Sequence, residues 1–306
     1  MYLNEHFKGV EKHLGLPSEA IEVFESLAER IENDADFSAQ FGALIDKYMN
    51  PEAHDFDKCN EDLKTVATVF GVNEYTLNYV FLLVASEIMH DRYKTAGLSD
   101  SLFYDTIKDL RYKFNECVAC KEAYGTFVTS WNTQFYNLRR FALGRFQFEY
   151  SSFSMFDEYT TSAGVKIKRG DKTLGFHIPS SGISLTDDVR LDSYKKAYEF
   201  LKDFRREDGL MIFECGSWLL YDKYKTFLPE NSNIVKFIDD FEIIDSGENE
   251  KFNDAWRIYG KYGYESYENW PENTSLQRAF KKYVSDGNKT GHGHGIIVFD
   301  GEKIVR

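Results

Sequence analysis

Along the first 140 residues, apolar side chains recur at steps of three and four, the spacing of helices that bury one face. Ile21, Phe24, Leu27, Ala28 and Ile31 form one such stripe, launched near Pro17-Ser18. Phe41, Leu44, Ile45 and Tyr48 predict a second, short helix that Asn50-Pro51 ends. Cys59 to Phe70 predicts a third, closed by Gly71. Asn73 then caps a long helix through Val80, Leu83 and Ile88, with Gly97 just past its end. Phe103, Ile107, Leu110, Phe114 and Cys117 mark another helix, and Trp131, Phe135 and Leu138 a last one.

At Arg140 the period changes. Phe146, Phe148 and Tyr150 alternate with Arg145, Gln147 and Glu149, as in a strand with one buried face. A domain boundary therefore falls between residues 140 and 141, with an all-helical domain over 1–140 and a mixed α/β domain over 141–306. Val165 to Lys168, the turn Arg169-Gly170-Asp171 and Lys172 to Ile178 predict a hairpin. Leu210 to Leu220 is almost continuously apolar, as expected of a strand covered on both faces. A helical segment follows from Tyr221 to Leu228, and after Pro229 Ser232 can cap a further turn through Val235 and Phe237. Phe241 to Ile244 and Trp256 to Tyr259 are short strand candidates. Thr274 with Gln277 is a capping box that starts a helix ending at Gly287, and Gly295 to Phe299 is a terminal strand.

The stretch Gly175 to Phe204 carries the clearest chemistry. A strand stops at Pro179, the chain turns through Ser180-Ser181-Gly182, and a helix starts after Thr186 with Leu191, Tyr194, Tyr198, Leu201 and Phe204 on its buried face. The first amides of such a helix lack intrahelical acceptors and point into the same space as the turn amides, a natural place for a phosphate. Thr186 is expected to cap the helix, and Asp187 and Asp188 to complement its positive end, although they would also repel a phosphate on the first turn. Ser180, Ser181, Gly182 and Thr186 are the candidate phosphate-site residues. An ordinary strand-to-helix connection is the alternative.

Composition narrows the classes. The 306 residues suffice for two cores, and the 26 Phe and 20 Tyr against 5 Pro favour well-filled interiors over disorder. A net charge of -13 argues against sequence-independent binding of nucleic acid, which relies on clustered Lys and Arg. The longest apolar run, Val80 to Ala85, is interrupted by Ser86 and Glu87, whereas a membrane span needs roughly 20 residues, so no membrane association is expected. Four cysteines and no signal-peptide pattern point to a cytoplasmic protein. Cys117 and Cys120 lie within one predicted helix without a second Cys/His pair, and His292-Gly293-His294-Gly295 is expected as a glycine-rich turn into the last strand. Neither is expected to hold a metal.

Several stretches resemble bacterial acyltransferase-domain proteins that join a helical N-acyltransferase N-terminal domain to a GNAT-like C-terminal domain. They are LGRFQFE (143–149), FHIPSSG (176–182), CGSWLL (215–220), LPENSNIVKF (228–237) and NTSLQRAF (273–280), and more loosely Gly97-Leu98 with SLFYDTIKDL (101–110). The resemblance implies a GNAT-like mixed-sheet fold and acyl transfer from acyl-CoA, acetyl-CoA or longer, to an amine of a small-molecule or peptide acceptor. It also implies that Thr173 to Ile178 and Leu210 to Leu220 splay apart to admit the pantetheine arm. The usual GNAT pyrophosphate loop is absent, with Ser180-Ser181-Gly182 in its place. Gly216 stands where relatives often carry His.

Acyl transfer to an amine needs a base, donors for the thioester oxygen and an acid for the leaving thiolate. His177, at the end of the first splayed strand, suits a base, or is a packed histidine beside Pro179. Glu149 could act as base directly or through water, or be a solvated strand residue. Tyr221 and Tyr224 are candidate acids, with aromatic packing as the alternative. Cys215 and Ser217 should share one side of their strand and line the cofactor, although a buried thiol in an apolar strand is the commoner outcome. The rival to an enzyme is a non-catalytic module of the same fold that binds a ligand or a protein partner. An aromatic plug in the cleft would favour that rival.

Overall fold

The helix Glu74–Thr95 buries Thr76, Tyr79, Val80, Phe81, Leu82, Leu83, Ala85, Met89 and Tyr93, side chains from every part of its circumference, and therefore needs neighbours all round. The computed structural model, which describes residues 2–50 and 58–306, supplies them. The chain divides into a unit ending at Phe141 and a unit Ala142–Arg306. In the first, the order is α1 (Glu5–Leu14), α2 (Ser18–Asn33), α3 (Ala35–Met49), α4 (Cys59–Phe70), α5 (Glu74–Thr95), α6 (Asp100–Ile107), α7 (Asp109–Lys121) and α8 (Thr133–Tyr136). All seven others pack on α5. Its ends are fixed as the residue types dictate: Asn73 accepts from the amides of Tyr75 and Thr76, and Gly97 follows with φ +69°. Tyr79 and Tyr136 sit wholly buried because their hydroxyls donate to carbonyls, that of Leu110 at 3.1 Å and that of Leu82 at 2.6 Å.

Two features of this unit differ from expectation. The helix α1 precedes the stripe that begins at Pro17. The expected helix through Phe103 and Cys117 is two, α6 and α7, broken at Lys108 while its spacing of apolar residues carries on across the break. Pro51, expected to end α3, lies outside the described residues. Cys117 and Cys120 are buried thiols of α7, and burial pushes the Cys117 thiol up to about 12. Among the described residues no helix is long and apolar enough to cross a membrane.

The second unit follows the order β1 (Arg140–Leu143), β2 (Phe146–Ser152), β3 (Glu158–Thr160), β4 (Lys166–Lys168), β5 (Lys172–His177), α9 (Asp187–Phe200), β6 (Met211–Ser217), α10 (Asn233–Asp239), β7 (Glu242–Glu248), α11 (Trp256–Tyr259), α12 (Ser275–Ser285) and β8 (Gly291–Phe299). Six strands make one sheet in the order β1-β2-β5-β6-β8-β7, and β3 with β4 makes a separate pair. Strands β5 and β6 run parallel; β2 with β5, β6 with β8 and β7 with β8 are antiparallel.

One face of the sheet is aromatic. Phe146, Phe148, Phe176, Phe213 and Phe299 surround Tyr194 of α9 and Phe237 of α10, with ring centroids between 4.3 and 6.0 Å for such pairs as Phe146–Phe176 and Tyr194–Phe299. Each buried ring contributes on the order of 1.5–3 kcal/mol, so this face is a large contribution to the unit's stability. The opposite face is apolar only at one end, where Ile212, Ile296 and Val298 meet Phe153 and Ile167. A third cluster gathers Tyr221, Tyr224, Trp270 and Phe280.

The hairpin expected between Val165–Lys168 and Lys172–Ile178 is not formed. Strand β4 turns back on β3, because Ile167 alone of Lys166-Ile167-Lys168 is buried and finds the Ile212 cluster there. That frees β5 to enter the main sheet. Glu242 holds the β3–β4 pair, accepting from Tyr159 Oη at 2.7 Å and from the Ser162 amide and hydroxyl at 2.8 and 2.7 Å. Trp256–Tyr259 is helical rather than extended: Ala255 and Tyr259, four apart, are buried in the same cluster. The apolar run from Leu210 becomes a strand only to Ser217, after which Trp218–Leu220 and Asp222–Thr226 form 3-10 turns.

Glu11 of α1 is 1% exposed, and neither of its carboxylate oxygens has a hydrogen-bond partner among the described residues. Burial, with Glu25 adding repulsion, pushes its carboxyl from 4.5 up to about 8. Between those values the unfolded chain has released this proton and the folded chain keeps it, so rising pH favours unfolding across that window. Glu11→Gln should equal or nearly equal wild type in acid and gain on it steadily up to about pH 8, as read from urea melts. A difference independent of pH would contradict this origin.

Candidate functional site

Strand β5 lies between two partners that treat it differently. Its ladder with β2 runs the whole way, from Lys172 opposite Ser152 to His177 opposite Gln147. Its ladder with β6 holds only at Leu174 opposite Phe213 and Gly175 opposite Glu214. Beyond Gly175 the two strands are no longer paired, while β6 stays on β8 as far as Ser217 opposite Gly293. A wedge therefore opens in the middle of the sheet, walled by Phe176 and His177 on one side and by Cys215, Gly216 and Ser217 on the other. A strand edge that parts from its neighbour suits a ligand that can hydrogen-bond as a strand does.

Register partners share a face, so the polar face can be followed strand by strand. At the wedge's closed end the row is Glu149, Gly175, Glu214 and Ile296. One step further out, Gln147 and His177 continue it on β2 and β5, and Gly216 and His294 on β6 and β8, with the gap between His177 and Gly216. Two imidazole–carboxylate pairs result, one on each side of the wedge: His177 Nε2 lies 3.0 Å from Glu149 Oε2, and His294 Nε2 lies 3.3 Å from Glu214 Oε2. The positions between the pairs are glycines in both rows, which leaves the floor of the wedge without side chains. No aromatic residue occupies these rows; the aromatic side chains of β2, β5 and β6 all face the other way.

Arg145 braces the turn that follows β5. Its guanidinium donates to the carbonyls of Ile183 and Pro179, each at 2.8 Å, and its amide donates to Ser193 Oγ of α9 at 2.5 Å. Gly144 is needed for this: φ is +75°, and a Cβ there would lie 2.5 Å from Ser193 Oγ. Ser180, Ser181 and Gly182 thus form an irregular, mostly exposed loop anchored from behind, with the Ile183 amide donating to Ser181 Oγ at 3.3 Å. Thr186 occupies the N-cap of α9 but does not cap it with its side chain. The Asp188 carboxylate takes over, accepting from the Thr186 hydroxyl and from first-turn amides, which holds it below the usual carboxylate range.

The remaining candidates are not gathered at the wedge in the same way. Cys215 and Ser217 do share one side of β6, but it is the aromatic side; Cys215 is 2% exposed, and burial pushes its thiol up. Ser217 accepts from the Leu219 amide at 3.1 Å and so starts the turn after β6. Tyr221 donates to Glu248 Oε1 at 3.2 Å, and Tyr224, whose hydroxyl burial also pushes up, accepts from the Gly291 amide at 3.4 Å. Both rings belong to the cluster with Trp270 and Phe280 rather than to the polar face. A cavity of about 360 Å³ lined by Asp187, Arg190, Tyr194, Lys236 and Asp240 carries no histidine or cysteine, so it offers neither imidazole base nor thiol.

His294 is where the sequence misled. The glycine-rich turn expected at His292–Gly295 is the first half of β8, with His292 and His294 on the polar face and Gly291, Gly293 and Gly295 on the packed one. The glycines are there because a Cβ would lie 2.4 Å from the Gly247 carbonyl oxygen, 2.3 Å from that of Leu220 and 2.8 Å from the Phe241 side chain, respectively. Strict alternation of Gly and His was the signal of a strand. Among the described residues no group of three or more His, Cys, Asp or Glu is placed to hold a metal ion.

A mixed sheet parted between two parallel strands, followed by a loop into a helix, defines a GNAT-like domain. Residues 140–297 match the GNAT-like C-terminal domain and residues 6–138 the N-acyltransferase N-terminal domain. The chain belongs to the family that joins the two. No curated protein matches the sequence. Among solved structures, an acyltransferase in complex with decanoyl-CoA and teicoplanin is similar at a TM-score of 0.72 and 18% identity, over 96% of this chain and 88% of that one. An acyltransferase mutant in complex with octanoyl-CoA gives 0.72 and 17%, over 96% and 87%. Another acyltransferase in complex with decanoyl-CoA gives 0.59 and 18%, over 95% and 98%. At these identities the likeness is one of fold.

Replacing Arg145 by Leu removes two charge-assisted hydrogen bonds that pin the loop. The variant should lose roughly 1.5–3 kcal/mol of stability per bond and exchange the amides of 180–185 faster, by denaturant melts and hydrogen exchange. Unchanged exchange in that loop would show that Arg145 does not hold it.

Proposed function

We propose that the protein is an acyl-CoA-dependent N-acyltransferase that passes the acyl group directly to an amine within a ternary complex. The observation that carries this reading is the wedge itself, with an imidazole–carboxylate pair at its wall and no aromatic residue in the polar rows that floor it. The pantetheine arm, a chain of amides, pairs with the edges of Phe176–His177 and Cys215–Ser217 that face the gap. The pyrophosphate meets the amides of Ser180, Ser181 and Gly182. It stays off the first turn of α9, where Asp187 and Asp188 carry negative charge. The family membership supports the same reaction, and solved relatives in complex with decanoyl-CoA and octanoyl-CoA support trying medium acyl chains as well as acetyl. The relative in complex with teicoplanin supports an amine on a peptide-like molecule as one acceptor to test.

The bond bookkeeping assigns the work. The C–S bond breaks and a C–N bond forms, and the nitrogen, which arrives as an ammonium, loses two protons. One ends on the departing thiolate and the other leaves to solvent. Glu149 accepts the Nε2–H of His177, which puts the basic lone pair on Nδ1 and stabilises the imidazolium once it forms. His177 is then the base, and Glu149 is the residue that orients it rather than a base in its own right. Tyr221, Tyr224 and Cys215 have structural roles in this reading.

Calorimetric titration with acetyl-CoA and octanoyl-CoA, with CoA as control, should show saturable binding. His177→Ala should lower kcat by about 10²- to 10⁴-fold with acyl-CoA affinity retained, and Glu149→Gln should lower kcat less. No acyl-CoA binding by folded protein would leave the interaction-module reading. Equal loss of affinity and turnover in His177→Ala would make that histidine structural.

A further inference from the structure

Glu214 has no part in the reaction as described so far, yet its side chain is only 9% exposed and its Oε1, fully buried, has no hydrogen-bond partner among the described residues. A carboxylate oxygen kept from both water and protein donors is costly unless something completes it. Its other oxygen faces His294 Nε2 at 3.3 Å, and on the far side of that ring Nδ1 hangs over Gly216, 3.4 Å from where a Cβ would stand. If Glu214 accepts the Nε2–H, the lone pair of His294 is on Nδ1, above the wedge floor. One carboxylate oxygen and one imidazole lone pair therefore lie at diagonal positions of β6 and β8, next to where β5 and β6 part.

An anionic group finds no donor in that pair, and a hydroxyl has one proton for two acceptors. A primary ammonium has three N–H donors in a compact head and can satisfy both acceptors at once, with a third left for the opposite wall. Gly175 lies between Glu149 and Glu214 in the register, so the two carboxylates flank a strip of bare backbone roughly 10 Å wide, two strand spacings. That width admits an ammonium and the carbon that bears it. On the acyl-transfer reading, which this inference rests on, we infer that Glu214 and His294 form the subsite for the acceptor's cationic amine, seated across the wedge from His177. The subsite selects primary amines over alcohols and tertiary amines, because only the former fill both acceptors and still carry a proton to lose.

The pair can be tested without the natural acceptor, using phenethylammonium as probe and phenethyl alcohol as its uncharged counterpart. Imidazole signals of His294 and His177, assigned by comparing wild type with His294→Ala and His177→Ala, are followed by NMR during each titration. Phenethylammonium should shift His294 saturably, the alcohol should not, and Glu214→Gln should weaken the amine at least tenfold. Octanoyl-CoA affinity, measured by calorimetry on the same samples, should be unchanged by Glu214→Gln, which also certifies the fold. Equal amine affinity in wild type and Glu214→Gln, or an equal response of His294 to the alcohol, would overturn the subsite. Loss of octanoyl-CoA binding by wild type would instead strike the acyl-transfer reading, and the amine titration would still decide this one.

Discussion

The structure depends on where one ladder stops. Parallel β5 and β6 are paired at Leu174–Phe213 and Gly175–Glu214 and then part, while each continues with its outer neighbour. Two pulls keep the gap open. After Ile178 the chain meets Pro179, which has no amide proton to extend the ladder, and Arg145 grips the carbonyls that follow. On the other side β6 is carried along β8, where the Gly293 backbone comes so close to Leu220 that no side chain fits. Strand edges that part in this way suit a ligand that hydrogen-bonds as a strand does.

The two faces of the sheet divide the labour. The aromatic face, packed on α9 and α10, supplies cohesion and needs no help from the polar one. The polar face can therefore spend positions on Glu149, His177, Glu214 and His294, with glycines between them. Each histidine has its Nε2 on its own carboxylate, and where that nitrogen carries the proton the basic lone pair lies on Nδ1.

Much of the architecture was legible in the residues. Helical spacing located most helices of the first unit, and the change of period at Arg140 marked the start of strands. Alternation put Glu149 opposite Phe148, and the stop at Pro179 gave the loop. What spacing cannot give is register. Nothing in the order of residues says that His177 stands opposite Gln147 and so reaches Glu149, because that depends on which strand becomes the neighbour. The expected hairpin failed for the same reason, since Ile167 found a better-covered place beside Ile212. Glycine misled in β8, where it is required by close packing on one face rather than by a turn. Thr186 lost its cap to Asp188, which reaches both the Thr186 hydroxyl and the first amides of α9.

Hydrogen exchange of the backbone with and without octanoyl-CoA tests the wedge most directly. Saturation should slow exchange in peptides covering Phe176–Ile178 and Cys215–Ser217, and in the loop 180–183, with little change in the β2–β5 ladder. Protection that instead gathers around Asp187, Lys236 and Asp240, or none at all despite binding, would contradict the claim that the gap between β5 and β6 is where the acyl-CoA lies.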